Sequence, residues 1–126
     1  MKNSFFIFFL SCFILLFNSC DEFLEESPEI GMVRYEINSK SNYFHVGYLN
    51  EYGNDIIELV QGSTSWVKEI EIEEGELVHL KFDEGPEQYG YDNEVLTTLS
   101  ISFNGNTLIS YSGITEYEYI NCYLED

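Results

Sequence analysis

Positive charge is what this sequence has least of: five lysines and arginines stand against 23 aspartates and glutamates, a formal net charge of −18. A chain so acidic repels phosphate backbones, which argues against nucleic acid as a partner. Histidine occurs twice, at His45 and His79, and cysteine three times, at Cys12, Cys20 and Cys122. A zinc site draws several such ligands together at close spacing, so no metal centre is expected. No nucleophile elbow or comparable local signature of covalent catalysis is present. Close pairs of carboxylates are frequent, but among so many acids they arise by chance, and a domain this small rarely forms the cleft that a glycosidase needs. The expectation is a protein without a catalytic set and without a cofactor.

Long apolar runs are also missing, with one exception at the start. After Lys2, positions 5–17 are apolar apart from Ser11 and Cys12, and the run ends in Asn18-Ser19-Cys20 before an abruptly acidic stretch. Thirteen positions fit the core of an export signal and fall short of the roughly twenty that span a bilayer. The segment resembles a bacterial lipoprotein signal, in which a small residue, here Ser19, precedes the cysteine that receives the acyl chains, here Cys20. Phe17 and Asn18 stand where that motif usually has an aliphatic and a small residue. The resemblance implies cleavage before Cys20, so residues 1–19 are read as signal peptide. It also implies a lipid anchor, since each buried methylene contributes about 0.8 kcal/mol and several chains hold a domain at a membrane without a spanning helix.

Six of the ten phenylalanines and Lys2 leave with the signal, and the remaining four basic residues against 23 acids give −19. Residues 20–31 read as a tether: Asp21, Glu22, Glu25, Glu26 and Glu29 repel one another, Pro28 blocks helix, and Gly31 closes the segment. Acidic residues just after the acylated cysteine also resemble surface-export signals of some Gram-negative lipoproteins. The expected location is therefore the cell envelope, lipid-anchored at the outer membrane of a Gram-negative bacterium, on its periplasmic or its surface side.

Residues 32–126 form one domain with room for a single small core. Hydrophobicity alternates with period two almost throughout, which marks half-buried antiparallel strands. Val33, Tyr35 and Ile37 share a face, as do Ile70 and Ile72; Val78, Leu80 and Phe82; Leu99, Ile101 and Phe103; and Ile120, Cys122 and Leu124. Strands are also expected over Tyr43 to Leu49 and Ile56 to Val60, around a turn containing Asn50, Gly53 and Asn54. Asn104-Gly105 is a strong hairpin signal, because both central residues of a type I′ turn take positive φ. A two-residue loop there sets Ile101 opposite Leu108 and Ser100 opposite Ile109. Glu73-Glu74-Gly75, with Gly75 left-handed, is read as a second hairpin that sets Ile70 opposite Val78. Seven or eight short strands about ten residues apart predict an all-β, immunoglobulin-like antiparallel β-sandwich.

The order of landmarks resembles the MmpS-like family. Val33-Arg34-Tyr35-Glu36-Ile37 matches its V-x-Y-E first strand, and Tyr48 to Asn54 its tyrosine and N-E-x-G turn. Trp66 then opens a middle strand, Ile101 to Asn106 corresponds to the I-x-V-D-G hairpin, and Cys122 to the terminal cysteine. The resemblance covers about Met32 to Cys122. It implies a β-sandwich outside the cytoplasmic membrane with an accessory role beside exporters. Two departures are visible: family members carry a transmembrane helix where this chain has a lipoprotein-type signal, and Thr98-Leu99-Ser100 has no cysteine to pair with Cys122. Cys122 is accordingly read as a small core residue.

Trp66, the only tryptophan, is expected as a core anchor. Asp83, Glu84, Glu87, Asp92, Asn93 and Glu94 could offer oxygens to calcium from one long segment, but the ordered D-x-D-x-D-G pattern is absent and a solvated acidic loop is expected. Tyr89, Tyr91, Tyr111, Tyr117, Tyr119 and Tyr123 as a set admit two readings of equal standing: recognition of protein or glycan, and plain sheet filling. The function expected is that of a lipid-anchored, non-catalytic accessory or binding module of the envelope. Its partners would be the membrane, through Cys20, and an envelope protein or glycan. A surface adhesin or glycan-binding module is the alternative, and an envelope hydrolase comes third.

Overall fold

The computed structural model describes residues 28–84 and 95–125. The signal segment, Cys20, the calcium candidates Glu87, Asp92, Asn93 and Glu94, and tyrosines Tyr89 and Tyr91 all lie outside the described residues, as does most of the tether.

Among the described residues there are eight strands: β1 (Ile30–Ser39), β2 (Tyr43–Leu49), β3 (Asp55–Gln61), β4 (Ser65–Glu73), β5 (Leu77–Asp83), β6 (Val95–Phe103), β7 (Asn106–Thr115) and β8 (Tyr117–Tyr123). They form two four-stranded sheets with the orders β4-β1-β6-β7 and β3-β2-β5-β8. Every pairing is antiparallel. The architecture is the expected all-β sandwich.

The alternation seen in the sequence decides what is buried. Val33, Tyr35, Ile37, Phe44, Val46, Val78, Leu80, Phe82 and Ile101 have no exposed surface, and they interlock between the sheets with Leu99, Phe103, Ile120 and Leu124. Each such side chain contributes roughly 1.5 to 3 kcal/mol through burial. Phe44 and Phe82 pack with ring centroids 5.2 Å apart. The buried Tyr35 hydroxyl donates to the Leu49 carbonyl oxygen at 2.9 Å, and the buried hydroxyls of Ser39 and Thr97 pair at 2.9 Å, so these polar groups keep partners in the core.

Among the described strands, β2–β3 and β6–β7 are joined as hairpins, and the other consecutive strands lie in different sheets. Asn50 builds the first turn, its side-chain oxygen accepting from the Tyr52 and Asn54 amides at 3.0 and 2.9 Å. Asn104 (φ 49°) and Gly105 (φ 84°) form the second with the positive φ pair that the sequence called for. The register beyond that turn differs from expectation. Phe103 and Ser102 pair with Asn106 and Thr107 as a two-residue loop requires, but an irregularity between Ile101 and Ser102 then sets Ile101 opposite Ile109 and Ser100 opposite Ser110. A bulge at Leu108 lets Ile109 share the inward side with Ile101, which the unbroken register would have denied it.

The Glu73-Glu74-Gly75 hairpin is corrected as well. Gly75 is left-handed (φ 91°), but β4 and β5 belong to different sheets. The segment is a corner that carries the chain across the sandwich, pinned by the Glu74 amide to the Glu29 carbonyl and the Gly75 amide to the Leu124 carbonyl, both at 2.7 Å. Ile70 and Val78 both face inward, from opposite sides of the core. Parity along each strand is satisfied equally by lateral pairing and by facing across a core.

Candidate binding face

The outer faces of the two sheets differ in chemistry. Outward positions of β4-β1-β6-β7 carry Arg34, Glu36, Asn38, Glu69, Glu71, Glu73, Thr98, Ser100, Ser102, Ser110 and Ser112, with apolar residues such as Met32, Val67, Leu96 and Ile114 toward the margins. Arg34 is held there by Glu69 at 2.7 Å and Glu36 at 3.4 Å. This is a solvated face.

The outer face of β3-β2-β5-β8 is aromatic, and carboxylates are confined to its strand ends. The register builds it in rows. Ile57, Gly47, Lys81 and Tyr119 lie side by side across the four strands. Leu59, His45, Asp83 and Tyr117 form the next row. On the other side of the first row, Asp55 is opposite Leu49 and His79 opposite Asn121, and Leu77 is paired with Tyr123 at the far end. Tyr117, Tyr119 and Tyr123 are 52%, 39% and 62% exposed, and Ile57 is 75% exposed.

Tyr119 is the best-held of these aromatics. The ring of His79 lies 5.7 Å from it, tilted by 30°, and Lys81 Nζ is 5.7 Å from its centroid on the adjacent strand. Such cation–ring contacts hold both partners in place. A side chain at Gly47 would meet the Lys81 Cδ and Cβ atoms at 3.2 and 3.3 Å, so glycine leaves the lysine stem its place against the sheet. Among the described residues no carboxylate stands within ion-pair distance of Lys81.

His79 Nε2 is 2.7 Å from Asp55 Oδ1, and this buried nitrogen has no other polar partner among the described residues. Burial pushes the His79 pKa down, and Lys81 adds to that; Asp55 pulls in the opposite direction. His45 packs edge-on against Tyr43 at 6.1 Å. The two histidines thus share one face, on neighbouring strands.

The other sequence candidates resolve individually. Cys122 is a free thiol on the inward side of β8, partly buried, with its pKa pushed up by burial, as befits a small core residue. Tyr111 packs against the core, which separates it from the three tyrosines of β8. Trp66 differs from expectation: it is only partly buried. Its inward parity is correct, but β4 is an edge strand, so the indole caps the side of the sandwich. There it stacks 5.3 Å from Tyr48 and donates from its ring N–H to Glu58 Oε2 at 2.9 Å.

An open cleft of about 470 Å³ lies at the end of the sandwich beneath the β2–β3 turn, lined by Leu49, Tyr52 and Ile72 and by the carboxylates of Glu51, Glu71, Glu73 and Glu76. Among the described residues no three His, Cys, Asp or Glu side chains are grouped to hold a metal ion, and no helix is long and apolar enough to cross a membrane. The residues that make the aromatic face distinctive, Gly47, Lys81 and His79, were not singled out as a group from the sequence. Their one visible signal was that each sits on the outward parity of its strand.

No family model matches the chain, and no curated protein matches it.

Proposed function

We propose that this protein is a lipid-anchored, non-catalytic binding module of the bacterial envelope, presenting the aromatic face of the β3-β2-β5-β8 sheet to its partner. The observation that carries the reading is the contrast between the two outer faces. In a chain with 23 acids, one four-stranded face keeps carboxylates to its strand ends and exposes three tyrosines instead. Tyrosine presents large area at low entropic cost and is enriched where proteins recognise other molecules.

Docking by strand addition is disfavoured at three of the sheet edges. Lys68 on β4, Glu58 on β3 and Glu118 on β8 each occupy inward parity on an edge strand, and inward-pointing charges are a known guard against edge pairing. The fourth edge, β7, is interrupted by its bulge. Recognition then falls to a face.

The resemblance to MmpS-like domains supports an accessory role beside an envelope exporter, and the lipoprotein-type signal ending at Cys20 supports attachment through acyl chains. Hydroxyl-radical footprinting of the protein in intact envelopes, against the purified protein, tests the reading. Tyr117, Tyr119 and Tyr123 should be protected in the envelope, while Met32 on the opposite face is modified equally in both. Equal modification of the tyrosines in both settings would remove the proposal.

A further inference from the structure

We infer that the occupant of this face is an uncharged oligosaccharide. The inference rests on the reading of the face as a binding surface and adds the chemistry of what it binds.

Size argues first. Each strand of the sheet has seven residues, so at about 3.3 Å per residue and about 4.8 Å between strands the face measures roughly 20 by 23 Å, or about 450 Å² in projection. Those dimensions accommodate a chain of a few sugar rings laid across the strands.

Charge argues second. The domain repels polyanions as a whole, so an acidic polysaccharide or a phosphate-bearing surface is disfavoured. The same field draws cations to the domain, but at the centre of this face a cationic ligand would meet Lys81, which has no carboxylate within ion-pair distance among the described residues. A neutral ligand meets neither penalty.

Donor placement argues third. Tyr117, Tyr119 and Tyr123 run along β8 over about 20 Å, with Asn121 between the last two on the same side. Their hydroxyls make no hydrogen bond to other described residues. Lys81 and His79 stand beside them on β5. Aromatic rings offer flat surfaces to the C–H faces of sugar rings, while the ammonium, amide and hydroxyl groups pair with sugar hydroxyls. Because Tyr119 is already held by its two neighbours, little ordering is left to be done on binding.

The test titrates the full-length protein in detergent micelles with four neutral hexasaccharides, maltohexaose, cellohexaose, xylohexaose and mannohexaose, followed by calorimetry and ligand-observed NMR. At least one should bind with millimolar or tighter affinity. Tyr119→Ala should weaken that binding at least tenfold and Lys81→Ala several-fold. Tyr119→Phe, which keeps the ring, should stay within about threefold of the parent, and Ser110→Ala on the opposite face should leave affinity unchanged. Should Tyr119→Ala lose its fold, Tyr123→Ala, at a more exposed position, carries the same expectation. Failure of all four sugars to bind, or binding indifferent to the tyrosine changes, overturns the inference. If no sugar binds while the β8 tyrosines remain protected in envelopes, the oligosaccharide is wrong and the binding face stands; if that protection is also missing, both fall.

Discussion

The indole N–H of Trp66 donates to Glu58 Oε2 at 2.9 Å, and this single contact joins the edge strand of one sheet to the edge strand of the other. Glu58 also accepts from the Tyr48 hydroxyl at 3.2 Å through its other oxygen. One carboxylate therefore closes that side of the sandwich. Hydrogen bonds to charged acceptors contribute about 1.5 to 3 kcal/mol each. Trp66→Phe should cost about 2 kcal/mol, and Trp66→Ala about 3, at the lower end of the range for a tryptophan truncated in a core. In a double-mutant cycle with Glu58→Gln, urea unfolding should give a coupling near 1 kcal/mol; additive effects would show that the contact does not join the sheets energetically.

Gly31 is a site where only glycine fits. A Cβ there would overlap the Phe103 ring and stand 2.6 Å from Asn104 Oδ1, and that oxygen accepts from the Met32 amide at 2.9 Å. Gly31→Ala should destabilise by roughly 1 to 3 kcal/mol, as overpacking does. Gly53→Ala has open space around it and should suffer only the strain of its positive φ, about 1 to 2 kcal/mol. A thermal melt of Gly31→Ala that matches the parent would contradict the close approach of β1 to the β6–β7 turn.

Tyr35 makes stability fall at alkaline pH. Burial is the main reason its pKa is raised in the folded protein, with Cys122 and Tyr48 adding to the effect. The unfolded side chain ionises near 10. The folded state thus holds the proton longer than the unfolded one, so its stabilisation is intact below pH 10 and declines as pH rises above it. Tyr48 is shifted in the same direction and contributes alongside. Tyr35→Phe should cost about 1 kcal/mol at neutral pH through the lost bond to Leu49, and its stability should fall less steeply above pH 10. Parallel alkaline slopes for variant and parent would refute this.

His79 works at the other end of the scale. Its pKa is lowered chiefly by burial, so the unfolded state takes up a proton first, and the stabilisation present above about pH 6.5 declines as pH falls through the folded value. NMR titration should find His79 below 6.5. Asp55→Asn should lower it further, because the group that, among the described residues, favours the charged ring is removed. A rise in the variant would mean that Asp55 does not act on the ring as its 2.7 Å separation requires.

Cys20 is expected to carry the anchor. Cys20→Ala should move the protein from the detergent to the aqueous phase in a Triton X-114 partition, since acyl chains supply the membrane affinity. A variant that stays in the detergent phase would rule out attachment through that residue.

Much of the fold was legible because alternation is a local property. The residues at 33, 35 and 37, at 78, 80 and 82, and at 99, 101 and 103 declare their inward side whatever strand lies beside them, and Asn104-Gly105 declares its turn through φ alone. The outward placement of Tyr117, Tyr119 and Tyr123 follows from the same rule. The aromatic face itself was not legible, since it requires knowing that β8 lies beside β5, and β5 beside β2. Only that order brings Gly47, Lys81 and Tyr119 into one row.

By itself, then, the sequence determined the sandwich class, the sidedness of β1, β4, β5, β6 and β8, and the tight turn at Asn104-Gly105. Tertiary structure alone decided that Glu73-Glu74-Gly75 crosses between sheets, that a bulge at Leu108 resets the β6–β7 register, and that Trp66 caps an edge where a core position was expected. The physical reason is that parity constrains each strand one at a time. The choice among neighbours is made by non-local packing of the whole core, in which lateral pairing and facing across the sandwich satisfy the same alternation equally well.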